Sequence, residues 1–124
     1  MDVVMTTKPT ILIYRTADTD MTYLQDLLFG MEEEGIPFTV EEVSGNDAGV
    51  LADRASHESA LAVGVGCTTK AVVLSYKNLP PQQFIYRLQP YKGQRESLRI
   101  LGSNAARLAK GNPFKSNDRL EVAF

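Results

Sequence analysis

The sequence predicts a mixed α/β fold, a five-stranded sheet with helices on both faces. Three observations predict it. Short apolar runs alternate with helical stripes in the order βαβαβββα. The first two strand-to-strand connections are long enough to hold a helix, which makes that part of the sheet parallel with right-handed crossovers. Only Gly66 to Lys70 separates the third strand from the fourth, too few residues for a parallel crossover, so that pair runs antiparallel. A three-strand meander then completes the sheet.

Each element has its own signal. Ile11-Leu12-Ile13-Tyr14 is an apolar run too short for a helix and reads as a buried strand near 10–15. Asp18 or Thr19 can cap the helix that follows, near 19–34, whose buried stripe is Met21, Leu24, Leu28 and Met31. Gly35 suits a left-handed stop and Pro37 prevents continuation. A partly alternating strand near 38–43 runs into the turn cluster Ser44-Gly45-Asn46-Asp47. A helix near 47–57 buries Leu51 and Ala55, and strands near 60–65 and 71–76 follow. Asn78-Leu79-Pro80-Pro81 turns the chain into a fifth strand near 84–88. The last helix, near 95–110, buries Leu98, Leu101, Ala105 and Leu108 and ends at Gly111 and Pro113. The expectation is one domain over 1–124, with 1–7 and 116–124 as tails.

Composition excludes several classes. Of 124 residues, 44% are hydrophobic and 23% charged, which rules out a disordered chain and a collagen-like repeat. One cysteine, Cys67, excludes an internal disulfide, and with one histidine, His57, it excludes a structural zinc site. No apolar run approaches the length of a membrane span, and the N-terminus lacks a secretory pattern, so the cytoplasm is the default compartment. Charge is divided along the chain. Residues 32–58 carry eight acidic groups and one basic one, whereas residues 70–115 carry nine basic groups and one acidic one. Either the two blocks compensate each other within the fold, or they form a two-sided binding surface or a nucleic-acid face.

Glu32-Glu33-Glu34 is the most informative local oddity. It falls in the last turn of a helix, where the macrodipole favours cations. It reads either as a solvated helix end or as a site completed by a cation, a hard metal ion or a partner's basic residues. Successive helix positions diverge by about 100°, so the three carboxylates cannot chelate one ion, and a metal would need ligands from elsewhere.

The other motifs carry less. Gly64-Val65-Gly66-Cys67-Thr68-Thr69-Lys70 looks superficially like a phosphate loop, but it lacks Gly before the lysine and a strand follows it, so it reads as a glycine-assisted hairpin. Cys67 in that hairpin has no base in its own element and reads as a half-buried small residue. His57 suits a helix C-terminus. Arg107 and Lys110 complement the dipole of their own helix. Tyr76, Tyr86 and Tyr91 interleave with Lys77, Arg87 and Lys92, but a pI of about 5.4 opposes a dedicated nucleic-acid domain. No catalytic set stands out.

Three segments in order carry a resemblance: Gly30-Met31-Glu32-Glu33-Glu34-Gly35-Ile36-Pro37-Phe38, Tyr76-Lys77-Asn78-Leu79-Pro80, and Asn104-Ala105-Ala106-Arg107-Leu108-Ala109-Lys110-Gly111-Asn112-Pro113-Phe114. Over roughly residues 8–115 the chain resembles the small (beta) subunit of the diol or glycerol dehydratase reactivase. The resemblance implies a three-layer α/β/α domain with a mixed five-stranded sheet of order 2-1-3-4-5, strand 4 antiparallel, similar to anticodon-binding domains and to the dehydratase medium subunit.

It also implies a non-catalytic, chaperone-like subunit in propanediol utilisation. Its large partner would be an actin-like ATPase, in a heterotetramer of two large and two small subunits. The complex would release damaged cobalamin from an inactivated adenosylcobalamin-dependent dehydratase by exchanging subunits with it. In that family the middle glutamate of the acidic triplet, here Glu33, reaches a divalent cation (Mg²⁺) held mainly by the large subunit. Glu32 and Glu34 become candidates for the partner interface. No cofactor is expected on the chain alone, and neither nucleic acid nor membrane is a partner. The alternatives are a medium-subunit-like part of the dehydratase itself, a stand-alone RNA-binding module of anticodon-domain type, and a small α/β enzyme. Open at this point are the client (glycerol or 1,2-propanediol dehydratase), self-association and association with a bacterial microcompartment.

Overall fold

Alternation of inward and outward residues along each strand decides how this chain folds. In the computed structural model, which describes residues 9–80 and 82–123, the strands are β1 (Ile11–Arg15), β2 (Phe38–Glu42), β3 (Val63–Cys67), β4 (Val72–Tyr76), β5 (Tyr86–Leu88) and β6 (Glu121–Val122). The helices are α1 (Gln25–Glu33), preceded by a 3-10 turn over Met21–Leu24, α2 (Ala48–Glu58) and α3 (Arg95–Lys110). The sheet order is β2-β1-β3-β4-β5-β6. β1 is parallel to β2 and β3, and every later pair is antiparallel.

The expected order of five strands is present, with a sixth strand added outside β5. That strand lies in the segment expected as a C-terminal tail. Two residues are too few to show a period, and only the burial of Leu120 beside them marks the segment. The N-terminal tail, 1–7, lies outside the described residues. β3 also starts later than expected. Ser59 builds a turn first, accepting from Leu61 N and, through its carbonyl, from Ala62 N, and Ala62 takes φ +62°.

One face of the sheet presents Ile11, Ile13, Val63, Val65, Cys67, Val72 and Leu74 to α1 and α3, and this is the main core. Each leucine wholly buried there, such as Leu24, Leu27 or Leu101, contributes roughly 1.5–3 kcal/mol. The other face presents Leu12, Tyr14 and Val73 to α2.

Glycine sets how closely the helices approach. A Cβ on Gly66 would lie 2.0 Å from the Ala48 carbonyl oxygen, and one on Gly64 2.2 Å from the Ser56 nitrogen, so α2 can lie against β3 only at glycine. Gly64 and Gly66 are therefore strand residues packed under a helix, not the glycines of a hairpin loop. Gly30 and Gly102 do the same between α1 and α3. The buried face of α1 is consequently Leu24, Leu27, Gly30 and Met31, rotated from the stripe that counted Leu28. Asp20, not Asp18 or Thr19, caps the first turn, accepting from Thr22 N at 2.9 Å. Gly35 and Gly111 take the expected left-handed stops, at φ +76° and +77°.

Candidate functional site

The end of α1 separates the three glutamates by direction. Glu34 turns onto α3, where Lys110 Nζ donates to its Oε1 at 2.8 Å, while Ser103 Oγ and Arg107 Nε donate to its Oε2 at 2.6 and 3.0 Å. Lys110 also donates to the Glu34 carbonyl oxygen at 3.0 Å, so a cation already sits at the C-terminus of α1. Lys110 first, then Ser103 and Arg107, hold the Glu34 carboxyl at about 2, well below the ordinary carboxylate range. Arg107 and Lys110 lie in the last turn of α3 as expected, and both also reach across to Glu34.

Glu32 and Glu33 remain on the outside. The Glu33 side chain is half exposed and its Oε2 lies 3.6 Å from Arg99 Nη1. Arg99 is held in turn by Asp26 at 3.1 Å and lies over the ring of Phe29, itself exposed. Arg95 pairs with the other oxygen of Asp26 at 3.1 Å. The outer surface of α1 therefore presents an aromatic ring one turn before two carboxylates. Sequence reasoning found the triplet but missed Phe29, Arg99 and Asp26, whose meeting depends on contacts across about 70 positions of the chain.

The two charge blocks compensate each other only in part: Glu34 pairs with Arg107, Lys110 and Lys115 and Glu33 with Arg99, whereas Arg87 and Arg95 pair with Glu121 and Asp26, outside the acidic block. Arg87, Arg95, Arg99, Arg107, Lys110 and Lys115 all form ion pairs with carboxylates. Lys92 lies over the Tyr23 ring instead. The basic residues are thus spread over separate partners, and no free basic stripe of the kind a nucleic-acid face needs is built from them.

The supposed phosphate loop is also spoken for. Thr68 Oγ1 accepts from Lys70 N and Ala71 N at 3.2 and 3.3 Å, and Tyr91 donates to the Thr68 carbonyl at 2.7 Å. Cys67 is wholly buried, more so than expected, and burial pushes its thiol up to about 12, which removes the nucleophilic thiolate. His57 accompanies Asp53 one turn earlier on α2. Open α/β sheets usually hold ligands where the strand order reverses, here between the C-terminal ends of β1 and β3. Thr16 and Thr19 close that crevice, their hydroxyls 2.7 Å apart, with Thr19 donating to the Cys67 carbonyl.

Among the described residues no group of three or more His, Cys, Asp or Glu could hold a metal ion. A cation at Glu33 would take its other ligands from another chain. What the site offers chemically is one accessible carboxylate, a second beside it, and an aromatic anchor, all on a rigid helix. That suits recognition rather than turnover.

Comparison with known proteins agrees. The model of the family described as dehydratase medium subunit matches residues 8–115. The chain is 41% identical over 109 residues to the propanediol dehydratase-reactivating factor small subunit of Citrobacter freundii, covering 88% of this chain and 92% of that protein. It is 37% identical over 91 residues to the diol dehydratase-reactivating factor small subunit of Klebsiella michiganensis, covering 73% and 72%. Among solved structures it is similar to a chain of the diol dehydratase-reactivating factor complexed with ADP and Mg²⁺, with TM-score 0.82 and 34% identity over 89% of this chain and 100% of that one. It is equally similar in fold to a chain of glycerol dehydratase reactivase, with TM-score 0.82 and 26% identity over 88% and 98%.

Proposed function

Because the chain belongs to the dehydratase medium-subunit family, and within it matches small subunits of reactivating factors along most of their length, we propose that it is the non-catalytic small subunit of a dehydratase reactivase. Its partner is a large subunit that hydrolyses ATP, in an assembly of two large and two small subunits. Together they release damaged cobalamin from an inactivated diol or glycerol dehydratase in the cytoplasm. A single family spanning dehydratase medium subunits and reactivase small subunits supports exchange between the two complexes, since one surface can accept either protein.

The observation that carries this reading is the outer face of α1. Phe29, Glu32 and Glu33 point away from the fold while Glu34 anchors the helix end to α3. We assign Glu33 as this chain's ligand to a divalent cation shared with the large subunit, with Glu32 beside it at the interface. A hard ion such as Mg²⁺ takes carboxylate oxygens, which fits Glu33, and accepts ligands from two chains. When bound, the ion supplies positive charge opposite two adjacent carboxylates. Glu34 serves the same contact indirectly, by fixing the turn that aims its neighbours.

The experiment is reconstitution. The chain is mixed with the large subunit and with dehydratase inactivated by a cobalamin lacking its adenosyl group. The expected result is ATP-dependent release of that cobalamin only when both subunits are present, with no ATP turnover by this chain alone. Full release by the large subunit alone would contradict the proposal.

A further inference from the structure

Resting on the assignment of Glu33 as ligand to a divalent cation shared with the large subunit, we propose that Arg99 is the positioning residue that sets how much of that cation assembly needs. Arg99 is the chain's own cation at this carboxylate, and Asp26 keeps it from closing on Glu33. The three side chains meet because α1 lies tight against α3, where a Cβ on Gly30 would come within 2.1 Å of the Arg99 carbonyl oxygen. Arg99 Nη2 donates to Asp26 Oδ1 at 3.1 Å, whereas its Nη1 stays 3.6 Å from Glu33 Oε2, an ion pair beyond hydrogen-bond reach. Asp26 is the better buried carboxylate, with 13% of its side chain exposed against 52% for Glu33, and Arg95 Nε donates to its other oxygen at 3.1 Å. The Phe29 ring, 5.6 Å from the guanidinium carbon, steadies Arg99 in this place.

These distances decide how the two cations share one carboxylate. Because Arg99 stops short of a hydrogen bond, Glu33 keeps its lone pairs for a hard ion. The guanidinium charge still lies close to any ion on that carboxylate and repels it. Arg99 therefore makes the contact demand more Mg²⁺ than a bare carboxylate would. Asp26 acts in the opposite sense, drawing Arg99 away and adding negative charge beside it. Arg95 serves as the reference, since it pairs with Asp26 and, among the described residues, no ion pair joins it to Glu33.

The test measures binding of the full chain to the large subunit, without nucleotide, across a series of Mg²⁺ concentrations. The readout is the concentration that gives half of the gain in affinity, with each variant's fold checked by its unfolding midpoint. Arg99→Gln should lower that concentration about threefold or more, and Asp26→Asn should raise it about twofold or more. Arg99→Lys, which keeps the charge, should bring it back toward the wild type, and Arg95→Gln should leave it unchanged. In a Glu33→Gln background, Arg99→Gln should no longer alter the response to Mg²⁺. A value for Arg99→Gln at or above that of the wild type, or an equal fall in Arg99→Lys, would overturn the role of Arg99. The assignment of Glu33 would survive that result, because the wild type would still respond to Mg²⁺ and Glu33→Gln would not. Wild-type binding that ignores Mg²⁺ would overturn both.

Discussion

On one face of the sheet α2 lies against β3 where Gly64 and Gly66 leave no room for a Cβ, and on the other α1 lies against α3 where Gly30 and Gly102 do the same. The approach is equally close, but the chemistry around it differs. α2 meets the sheet through Ala48, Ala52 and Ala55, with one hydrogen bond from Tyr14 to Glu58 at its end. The α1–α3 contact is laced by Asp26 with Arg95 and Arg99, and by Glu34 with Arg107 and Lys110. Shape settles the first layer, while the second uses charge to fix direction as well as distance. That matters at the end of α1, where adjacent glutamates must face opposite ways.

The comparison breaks most severely at the glycines. Gly66→Ala and Gly102→Ala each force a methyl group into a backbone carbonyl, at 2.0 and 1.9 Å, and each should cost about 3 kcal/mol or more. Gly35→Ala, left-handed but in open space, should cost only about 1–2 kcal/mol. Denaturant midpoints measure all three, and a cost at Gly66 no larger than at Gly35 would remove the argument from close approach.

Glu34→Gln sharpens the role of charge. It weakens hydrogen bonds from two cations and a hydroxyl, and should cost about 1.5–3 kcal/mol at neutral pH. The carboxyl is held near 2 when folded against 4.5 ordinarily, so its contribution is fully present above about pH 5 and is lost as pH falls toward 2. The variant should therefore show a flatter loss of stability through that acid range. A parallel decline in both proteins would contradict this. Asp26→Asn comes next, at about 1 kcal/mol, because both of its arginines are substantially exposed.

Much of this was legible in the sequence because it is local. The runs Ile11 to Tyr14 and Ala71 to Tyr76, the glycine stops and the short link before β4 each determine their own structure within a few residues. Gly64 and Gly66 misled because alternating glycine resembles a turn until the helix above it is placed. β6 was hidden by its length. The acidic triplet showed where a cation is wanted, and the 100° step showed that its members diverge. Which glutamate turns inward depends on Ser103, Arg107 and Lys110, some 70 positions away, and no local pattern announces it.

The smallest expected effect on stability belongs to Glu33→Gln, within about 0.5 kcal/mol of wild type, because the side chain is half exposed and the arginine beside it, Arg99, is held by Asp26. This variant gives the most direct test of the central claim, that the outward carboxylate meets a cation shared with the large subunit. The large subunit is titrated with wild-type chain and with Glu33→Gln, each with and without Mg²⁺. Tight binding should depend on Mg²⁺ in the wild type, whereas the variant should bind more weakly and show little response to the ion. Equal affinity and equal Mg²⁺ dependence in the two would return Glu32 and Glu33 to a solvated helix end.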